Sequence, residues 1–337
     1  MKASNFEISA IPTNIITGFL GAGKTSAILH LLKSKPDNER WAVLVNEFGE
    51  IGIDGSLFEG KHSQGQGIYI REVPGGCMCC AAGLPMQVAL NQLLTKAKPD
   101  RLLIEPTGLG HPQEVLNILS STHYHDVLSL QKTLTLVDAR KLSSKQYTSH
   151  ETFNQQIAIA DTVIGNKSDL YREGDSANLT SYIKNNCQPQ ANVIFAQHGV
   201  IETSYLNGAT AAIRPAAHHH HHQAQSKPLA SQLAIPECGF IKACNEGEGF
   251  KSIGWRFSPT KVFYRHKLIS FLSKLPKLQI ERVKAVFITN DGIFAYNLTT
   301  DMLTEEELDD CLESRVEMIA TELPESLETQ LMTCLQA

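Results

Sequence analysis

Residues 18–25, GFLGAGKT, are the feature that most restricts how this chain can fold. They match the pattern G-x-x-x-x-G-K-[ST], a loop that joins a buried strand to the helix after it. The preceding Asn14–Thr17 predicts the strand, and apolar residues at helical spacing in Thr25–Leu32 predict the helix. A strand, loop and helix in this order are typical of parallel α/β sheets, so we expect that class for the first part of the chain.

The residue types of this loop suit phosphate binding. Its glycines let the backbone curl so that successive amides point at phosphate oxygens, and the helix N-terminus adds partial positive charge. The Lys24 ammonium is expected to reach the β- and γ-phosphates, and the Thr25 hydroxyl to bind Mg²⁺. The predicted nucleotide-binding residues of the loop are Gly18, Gly21, Ala22, Gly23, Lys24, Thr25 and Ser26.

Predicted strands and helices alternate after this loop. The alternation predicts a mainly parallel sheet with helices on both faces, and with the phosphate loop it predicts a P-loop NTPase fold. The predicted strands are Trp41–Val45, Gly67–Val73, Arg101–Ile104, Thr133–Val137, Thr162–Gly165 and Asn192–Ala196, and the predicted helices are Leu84–Leu94, His111–Ser120, Glu151–Ala160 and Ala177–Asn186.

The alternation stops near Pro215, where a polar segment containing five consecutive histidines indicates an interdomain linker. Strand, helix, hairpin, strand and helix patterns then predict a smaller, ferredoxin-like α+β domain. Its hairpin is marked by Asn290-Asp291-Gly292, since Asn and Gly tolerate positive φ. The acidic run Glu305–Asp310 is expected to be a solvated face. The predicted boundaries are 1–215 for the P-loop domain, 216–235 for the linker and 236–337 for the C-terminal domain.

Asn166-Lys167-Ser168-Asp169 follows a predicted strand, where open α/β sheets place ligand loops. The Asp169 carboxylate can accept two hydrogen bonds from the N1–H and the exocyclic amine of guanine. Adenine offers no such pair and would leave the carboxylate unpaired. The Lys167 stem can lie over the base, and Asn166 can brace the loop. Four such residues alone often form an ordinary polar turn, but downstream of a phosphate loop they favour GTP over ATP.

Glu105 directly follows the predicted strand of residues 101–104 and precedes Pro106-Thr107-Gly108. A carboxylate at this place can hold the Mg²⁺ shell or the attacking water. An ordinary strand-ending turn explains these residues equally well when they are taken alone. The upstream phosphate loop favours the catalytic interpretation.

Three cysteines, Cys77, Cys79 and Cys80, occupy four consecutive positions after Gly75-Gly76. A turn through these glycines can bring the three thiolates together. Zinc takes thiolate ligands, and three of them leave one coordination position open, which suits metal exchange. Cu(I) and Co²⁺ are alternatives for such a site. A redox pair is a rival interpretation, and the spacing alone does not choose between metal binding and the other uses.

The histidine run favours metal binding, because neutral imidazoles bind Zn²⁺, Ni²⁺ and Co²⁺ and a flexible run can collect such ions. A solvated linker without function is the alternative interpretation. The histidines concerned are His218, His219, His220, His221 and His222.

Composition restricts the partners and the compartment. The formal net charge of −5 does not resemble the basic footprint of a nucleic-acid-binding protein. No apolar run approaches the ~18 residues that a membrane span needs, and the start lacks the pattern of a signal peptide. Eight cysteines, unevenly placed, are unlike a secreted disulfide framework. We therefore expect a cytoplasmic protein that binds neither nucleic acid nor membrane.

Taken together, GFLGAGKT, VNEFGEIGIDG, GGCMCC, EPTG and NKSD resemble the CobW-like GTPases, relatives of the HypB and UreG metal-insertion GTPases, and most of all their zinc-handling branch. The resemblance covers nearly the whole chain. It implies GTP hydrolysis with Mg²⁺, coupled to the handling of Zn²⁺, or of Co²⁺ or Ni²⁺, and to transfer of the metal to a client protein. Assembly of copies that depends on nucleotide or metal is a further expectation.

The resemblance also implies site residues beyond the motifs. The three cysteines would lie close to a switch segment, residues 46–54, in which Glu47, Glu50 or Asp54 could complete the metal shell or sense the γ-phosphate; Glu47 is also an expected catalytic residue. Some relatives carry a Glu just before the Asn of this segment, whereas this chain has Val45. Glu50 is therefore the expected carboxylate ligand of the metal.

Two functions from other classes remain open at this point. A P-loop kinase for a small molecule would prefer ATP, and NKSD argues against it. A metal buffer would bind zinc through Cys and His without responding to nucleotide.

Overall fold

The computed structural model describes residues 10–45, 67–73, 84–108, 112–212, 234–247, 249–299 and 302–336. They form two compact units: the described residues up to 212 belong to the first, and those from 234 onwards to the second. Each unit has its own sheet and its own hydrophobic core, so each is described by itself.

The strands of the first unit are β1 (Ile11–Gly18), β2 (Trp41–Val45), β3 (Ile68–Glu72), β4 (Arg101–Glu105), β5 (Leu128–Leu130), β6 (Leu134–Val137), β7 (Thr162–Gly165) and β8 (Asn192–Phe195). They form a sheet in the order β3-β2-β4-β1-β6-β7-β8, and the short β5 pairs with the start of β1. The paired strands run parallel, so their carboxyl ends, and the loops that follow them, meet at one edge of the sheet.

The helices of the first unit are α1 (Lys24–Lys33), α2 (Leu84–Ala97), α3 (Pro112–Leu119), α4 (Lys145–Thr148), α5 (Glu151–Ala158) and α6 (Asp175–Asn186). In the part of this unit that the structure describes, three 3₁₀ helices accompany them, at Ala139–Ser143, Ser168–Leu170 and Thr203–Leu206. None of the helices in the described part of the chain is long and apolar enough to cross a membrane.

Both faces of this sheet are buried at its central strands. The consecutive residues Ile15 and Ile16 of β1 point to opposite faces, and each is at most 1% exposed. All five residues of β2, the run WAVLV, are buried as well. On one face, α2 and α3 pack against β1, β2 and β4 in a single apolar cluster. Continuous rather than alternating apolar strands are what a sheet covered on both faces requires.

The second unit contains β9 (Phe240–Gly247), β10 (Phe250–Phe257), β11 (Arg282–Thr289), β12 (Gly292–Thr299), β13 (Leu303–Leu308) and β14 (Ser314–Ala320), with helices α7 (Arg265–Leu272) and α8 (Leu327–Met332) and a 3₁₀ helix at Leu275–Leu278. The sheet order is β13-β12-β11-β14-β10-β9, and neighbouring strands are antiparallel. Since β14 lies between β10 and β11, the unit β10-α7-β11 is a split βαβ, the element that defines a ferredoxin-like arrangement.

One face of this second sheet carries its core. Alternate residues of β10, Trp255 and Phe257, pack with Leu268 of α7 and Leu331 of α8, all fully buried. The period of two along the strand places these side chains on the helix-covered face. The Asn290-Asp291-Gly292 turn joins β11 to β12 as an antiparallel hairpin, as its sequence predicts.

The predicted fold class is confirmed, but three strands were missed. The strand β5 has only three residues, and β9 was not predicted at all. Glu305–Asp310 was expected only to be a solvated face, whereas Leu303–Leu308 forms β13, with Glu305, Glu306 and Glu307 exposed. Of the predicted linker, residues 216–235, only the last two residues are described, so the domain boundaries stay predictions.

Candidate nucleotide site

The phosphate loop lies between β1 and α1, with three glycines in conformations that disfavour side chains. Gly18, Gly21 and Gly23 have φ of +145°, +72° and +97°. A Cβ on Gly18 would lie 2.4 Å from the Leu136 carbonyl oxygen, and one on Gly23 would lie 2.3 Å from Asn166 Nδ2. The loop therefore requires glycine at Gly18 and Gly23 on two independent grounds, backbone conformation and close packing.

Lys24 is 5% exposed, although it carries a charge. Its ammonium donates to the carbonyl oxygen of Gly18 at 2.8 Å and lies 3.5 Å from that of Phe19. These contacts hold the positive charge inside the loop, beside the N-terminus of α1. Ala22 is buried, Gly21 and Thr25 are partly exposed, and Ser26, in the first turn of α1, is exposed. A cation and the N-terminus of a helix therefore lie together here, which is what a polyphosphate chain needs.

Thr25 and Glu105 meet, although 80 residues separate them in the sequence. The Thr25 hydroxyl donates to Glu105 Oε1 at 3.3 Å, because β1 and β4 are neighbours in the sheet and both end at this edge. Glu105 is 2% exposed. A hydroxyl and a carboxylate oxygen at this separation are the hard oxygen donors that Mg²⁺ prefers, so the residues present fit this ion.

Asn166 joins three loops. Its Nδ2 donates to the carbonyl oxygen of Ala22 in the phosphate loop at 2.9 Å, and its Oδ1 accepts from the Gly199 amide at 3.1 Å. Asn166 is 2% exposed, so both hydrogen bonds are shielded from water. It therefore fixes the position of the NKSD loop relative to the phosphate loop.

The other two predicted base-binding residues differ in exposure. Asp169 is exposed, as a carboxylate that receives a ligand from solvent should be. Lys167 has φ of +60°, and its Nζ lies 3.7 Å from Asp138 Oδ2. Because β6 lies between β1 and β7, the ends of the two loop-bearing strands are two strand spacings apart, about 10 Å. A nucleotide can bridge that distance between phosphate and base.

Two groups of residues that contact the site were not predicted from the sequence. The turn after β8 contacts the NKSD loop, since the Ser168 amide donates to the Ala196 carbonyl oxygen at 3.0 Å and Gly199 closes on Asn166. A glycine after a predicted strand, AQHG, was the available signal. The second group packs around Phe19 of the phosphate loop, whose ring contacts those of Tyr147, His150 and Phe153. No local pattern identifies that cluster.

The predicted metal and switch residues lie outside the described residues: Glu47, Glu50, Cys77, Cys79, Cys80, His218, His219, His220, His221 and His222. Among the residues that the structure does describe, no group of three or more His, Cys, Asp or Glu side chains could hold a metal ion. The structure therefore leaves the thiolate and histidine predictions as predictions.

Residues 12–195 match the family described as CobW/HypB/UreG, nucleotide-binding domain. The chain belongs to this family. The matched CobW/HypB/UreG region includes the phosphate loop, Glu105 and the NKSD loop, so the resemblance inferred from the motifs is confirmed.

Curated relatives agree with this assignment to CobW/HypB/UreG. Zinc chaperone YeiR of Escherichia coli (strain K12) is 41% identical over 313 residues, which cover 92% of this chain and 93% of YeiR. Zinc-regulated GTPase metalloprotein activator 1 of Schizosaccharomyces pombe is 32% identical over 205 residues, 59% of this chain and 47% of that protein. The crystal structure of Zn(II)-bound YjiA GTPase from E. coli aligns with 97% of this chain and 99% of that chain, at 19% identity and a TM-score of 0.45.

Proposed function

We propose that this protein is a zinc-handling GTPase, which hydrolyses GTP and couples the reaction to delivery of Zn²⁺ to client proteins. The observation that carries the nucleotide part is the Asn166 bridge, because it joins a phosphate loop to a loop with guanine-selective residue types. Family membership and the names of the relatives support both parts.

The described residues supply a consistent set of roles for GTP. Lys24 and the loop amides would bind the β- and γ-phosphates, and Thr25 and Glu105 would hold Mg²⁺, which supplies charge neutralisation when bound. Glu105 would also orient the attacking water. Asp169 would accept from the guanine edge, while Lys167 covers the base. A buried, pre-arranged set of this kind lowers the cost of organising charge around the transferred phosphoryl group.

The zinc part rests on the chemistry of the thiols and on the relatives. Cys77, Cys79 and Cys80 would supply three thiolate ligands, Glu50 would be an exchangeable fourth ligand at the remaining position, and the run His218–His222 would collect ions for the site. YeiR, CobW and YjiA are named zinc chaperones, and YeiR covers almost the whole of this chain. Co²⁺ and Ni²⁺ are the other ions that these ligands accept.

Coupling would run through the switch segment that contains Glu47. In this proposal that segment would become ordered when GTP is bound, which would assemble the thiolate site, and would relax after hydrolysis. Linkage then requires zinc to alter nucleotide affinity by the same factor by which nucleotide alters zinc affinity. The protein would act in the cytoplasm, where thiols stay reduced, and the described cysteines (187, 238, 244, 311 and 334) are free.

The test is GTP turnover with and without each divalent metal, for the wild type and for a Cys77/Cys79/Cys80 triple Ala variant. We expect Mg²⁺-dependent hydrolysis that zinc alters in the wild type but not in the triple variant, with GTP binding intact in both. An ATP preference together with phosphorylation of an acceptor would instead identify a small-molecule kinase. Zinc binding without any nucleotide response would identify a metal buffer.

A further inference from the structure

The carboxylate of Asp138 lies between the phosphate loop and the NKSD loop. Asp138 directly follows β6, the strand that separates β1 from β7, so a nucleotide that joins the two loops must pass the end of this strand. The residue is 6% exposed. None of the roles assigned above uses it.

Two cations share this carboxylate. Arg140 binds it in a fork, with Nε 2.9 Å from Oδ1 and Nη2 2.5 Å from Oδ2. The Arg140 backbone amide also donates to Oδ1, which caps the 3₁₀ helix Ala139–Ser143. Lys167 Nζ lies 3.7 Å from Oδ2. Since Arg140 satisfies both oxygens, Asp138 is held in place and offers a fixed negative charge to Lys167.

This contact sets the direction of the Lys167 side chain. The residue has a left-handed backbone, φ +60° and ψ +34°, at the end of β7, and its ammonium is drawn towards the end of β6. The stem therefore runs from the base side of the site towards the phosphate side. An apolar stem held in that direction can form one wall of a base pocket, whereas a freely rotating lysine would lose conformational entropy on binding.

A second contact joins the same two segments. The Tyr171 hydroxyl accepts from the Ala139 amide at 3.1 Å and donates to the Val137 carbonyl oxygen at 3.3 Å. Burial is the main cause that raises the pKa of Tyr171, to about 12, so the hydroxyl keeps its proton. The residues around the end of β6 therefore contact the NKSD loop near both of its ends, at Lys167 and at Tyr171.

We propose that Asp138 is a positioning residue for guanine-nucleotide binding, which acts by holding Lys167 along the base. The inference rests on the proposed function and deepens it. Asp138→Asn keeps the shape and an acceptor oxygen but removes the charge, so Lys167 and Arg140 would face each other without their shared anion. Repulsion would then move Lys167 away from the base.

The experiment measures GDP and tripolyphosphate affinity by calorimetry for the wild type, Asp138→Asn, Lys167→Met and the double variant, and ADP affinity for the wild type. Asp138→Asn is expected to weaken GDP binding about 10-fold and tripolyphosphate binding less than 2-fold. The double variant is expected to bind GDP within 2-fold of Lys167→Met, because Asp138 has nothing left to position. Asp100→Asn is the matched control: it removes the charge of another Arg-paired carboxylate, which precedes β4 and so lies at the opposite end of the strands from Asp138, and it should leave GDP binding unchanged.

The outcomes separate this inference from the proposed function. If the wild type binds GDP no more tightly than ADP, the proposed GTP specificity fails. If the wild type prefers GDP but the two substitutions have additive effects, or tripolyphosphate binding falls as much as GDP binding, Asp138 acts on folding alone and the inference is overturned.

Discussion

The close approach of Gly23 to Asn166 predicts a difference between two glycine variants of the same loop. Gly21 and Gly23 both have positive φ. A Cβ on Gly21 meets no atom within 4 Å, whereas one on Gly23 lies 2.3 Å from Asn166 Nδ2. Gly21→Ala should therefore cost only the strain of a left-handed backbone, about 1–2 kcal/mol.

Gly23→Ala should cost the same strain and also displace the Asn166 side chain. That side chain pairs the Ala22 carbonyl and the Gly199 amide, and a buried polar group that loses its partner costs about 1–3 kcal/mol. The excess over Gly21→Ala is thus about 1–3 kcal/mol if one contact is lost, and about 2–6 kcal/mol if both are lost.

Urea unfolding without nucleotide measures this difference. Trp41, which is 2% exposed, reports on the first unit when Trp255→Phe is present in every protein compared, since the chain has 2 tryptophans. In an Asn166→Ala background the excess should disappear. Equal destabilisation by the two alanines in the presence of Asn166, to within about 0.5 kcal/mol, would refute the packing argument.

Glu105→Gln should lower GTP turnover by about 10²–10⁴-fold while GDP still binds, as phosphate release and calorimetry would show. Phe19→Ala, which removes a ring packed among three others, should destabilise the first unit by about 3–5 kcal/mol in urea. Glu313→Gln should cost the second unit about 3–5 kcal/mol at pH 7, because it leaves buried Arg256 without its carboxylate, and it should reduce the dependence of unfolding on acid.

The sign of that acid dependence follows from the partners of Glu313. Burial by itself raises the pKa of Glu313, but Arg256 and Arg315 outweigh burial and lower the pKa below its ordinary 4.5. The stabilisation is therefore complete above pH 4.5 and is lost as the pH falls through the lower folded-state pKa. The same acid dependence in Glu313→Gln and in the wild type would contradict this account, as would unchanged turnover in Glu105→Gln or unchanged stability in Phe19→Ala.

Local sequence patterns were sufficient to predict those elements whose structure is determined within one short segment. GFLGAGKT placed the turn between β1 and α1, WAVLV matched β2 residue for residue, and Asn290-Asp291-Gly292 located a hairpin. Edge strands were harder to predict. The strands β9 and β13 pair on one side only, so they carry charged and polar residues that weaken the pattern while protecting the edge.

The individual hydrogen bonds between distant segments have no local sequence pattern. Asn166 contacts Ala22 across 144 positions, and Thr25 contacts Glu105 across 80. Both pairs meet only because parallel strands bring their carboxyl ends to one edge of the sheet. The residue types predicted which side chains would bind a nucleotide. The topology of the sheet determined which of these side chains contact each other. Asp138 illustrates the limit: a single aspartate after a strand has no local signal that names Lys167 as its partner.

Zinc titration in three nucleotide states tests the central claim most directly. The apo protein, the GDP complex and the complex with a non-hydrolysable GTP analogue are each titrated in competition with a chelating indicator. The account predicts tightest zinc binding in the GTP-analogue complex, and loss of that binding in Cys79→Ala with nucleotide binding intact. Equal zinc affinities in all three states would contradict the coupling of GTP to metal.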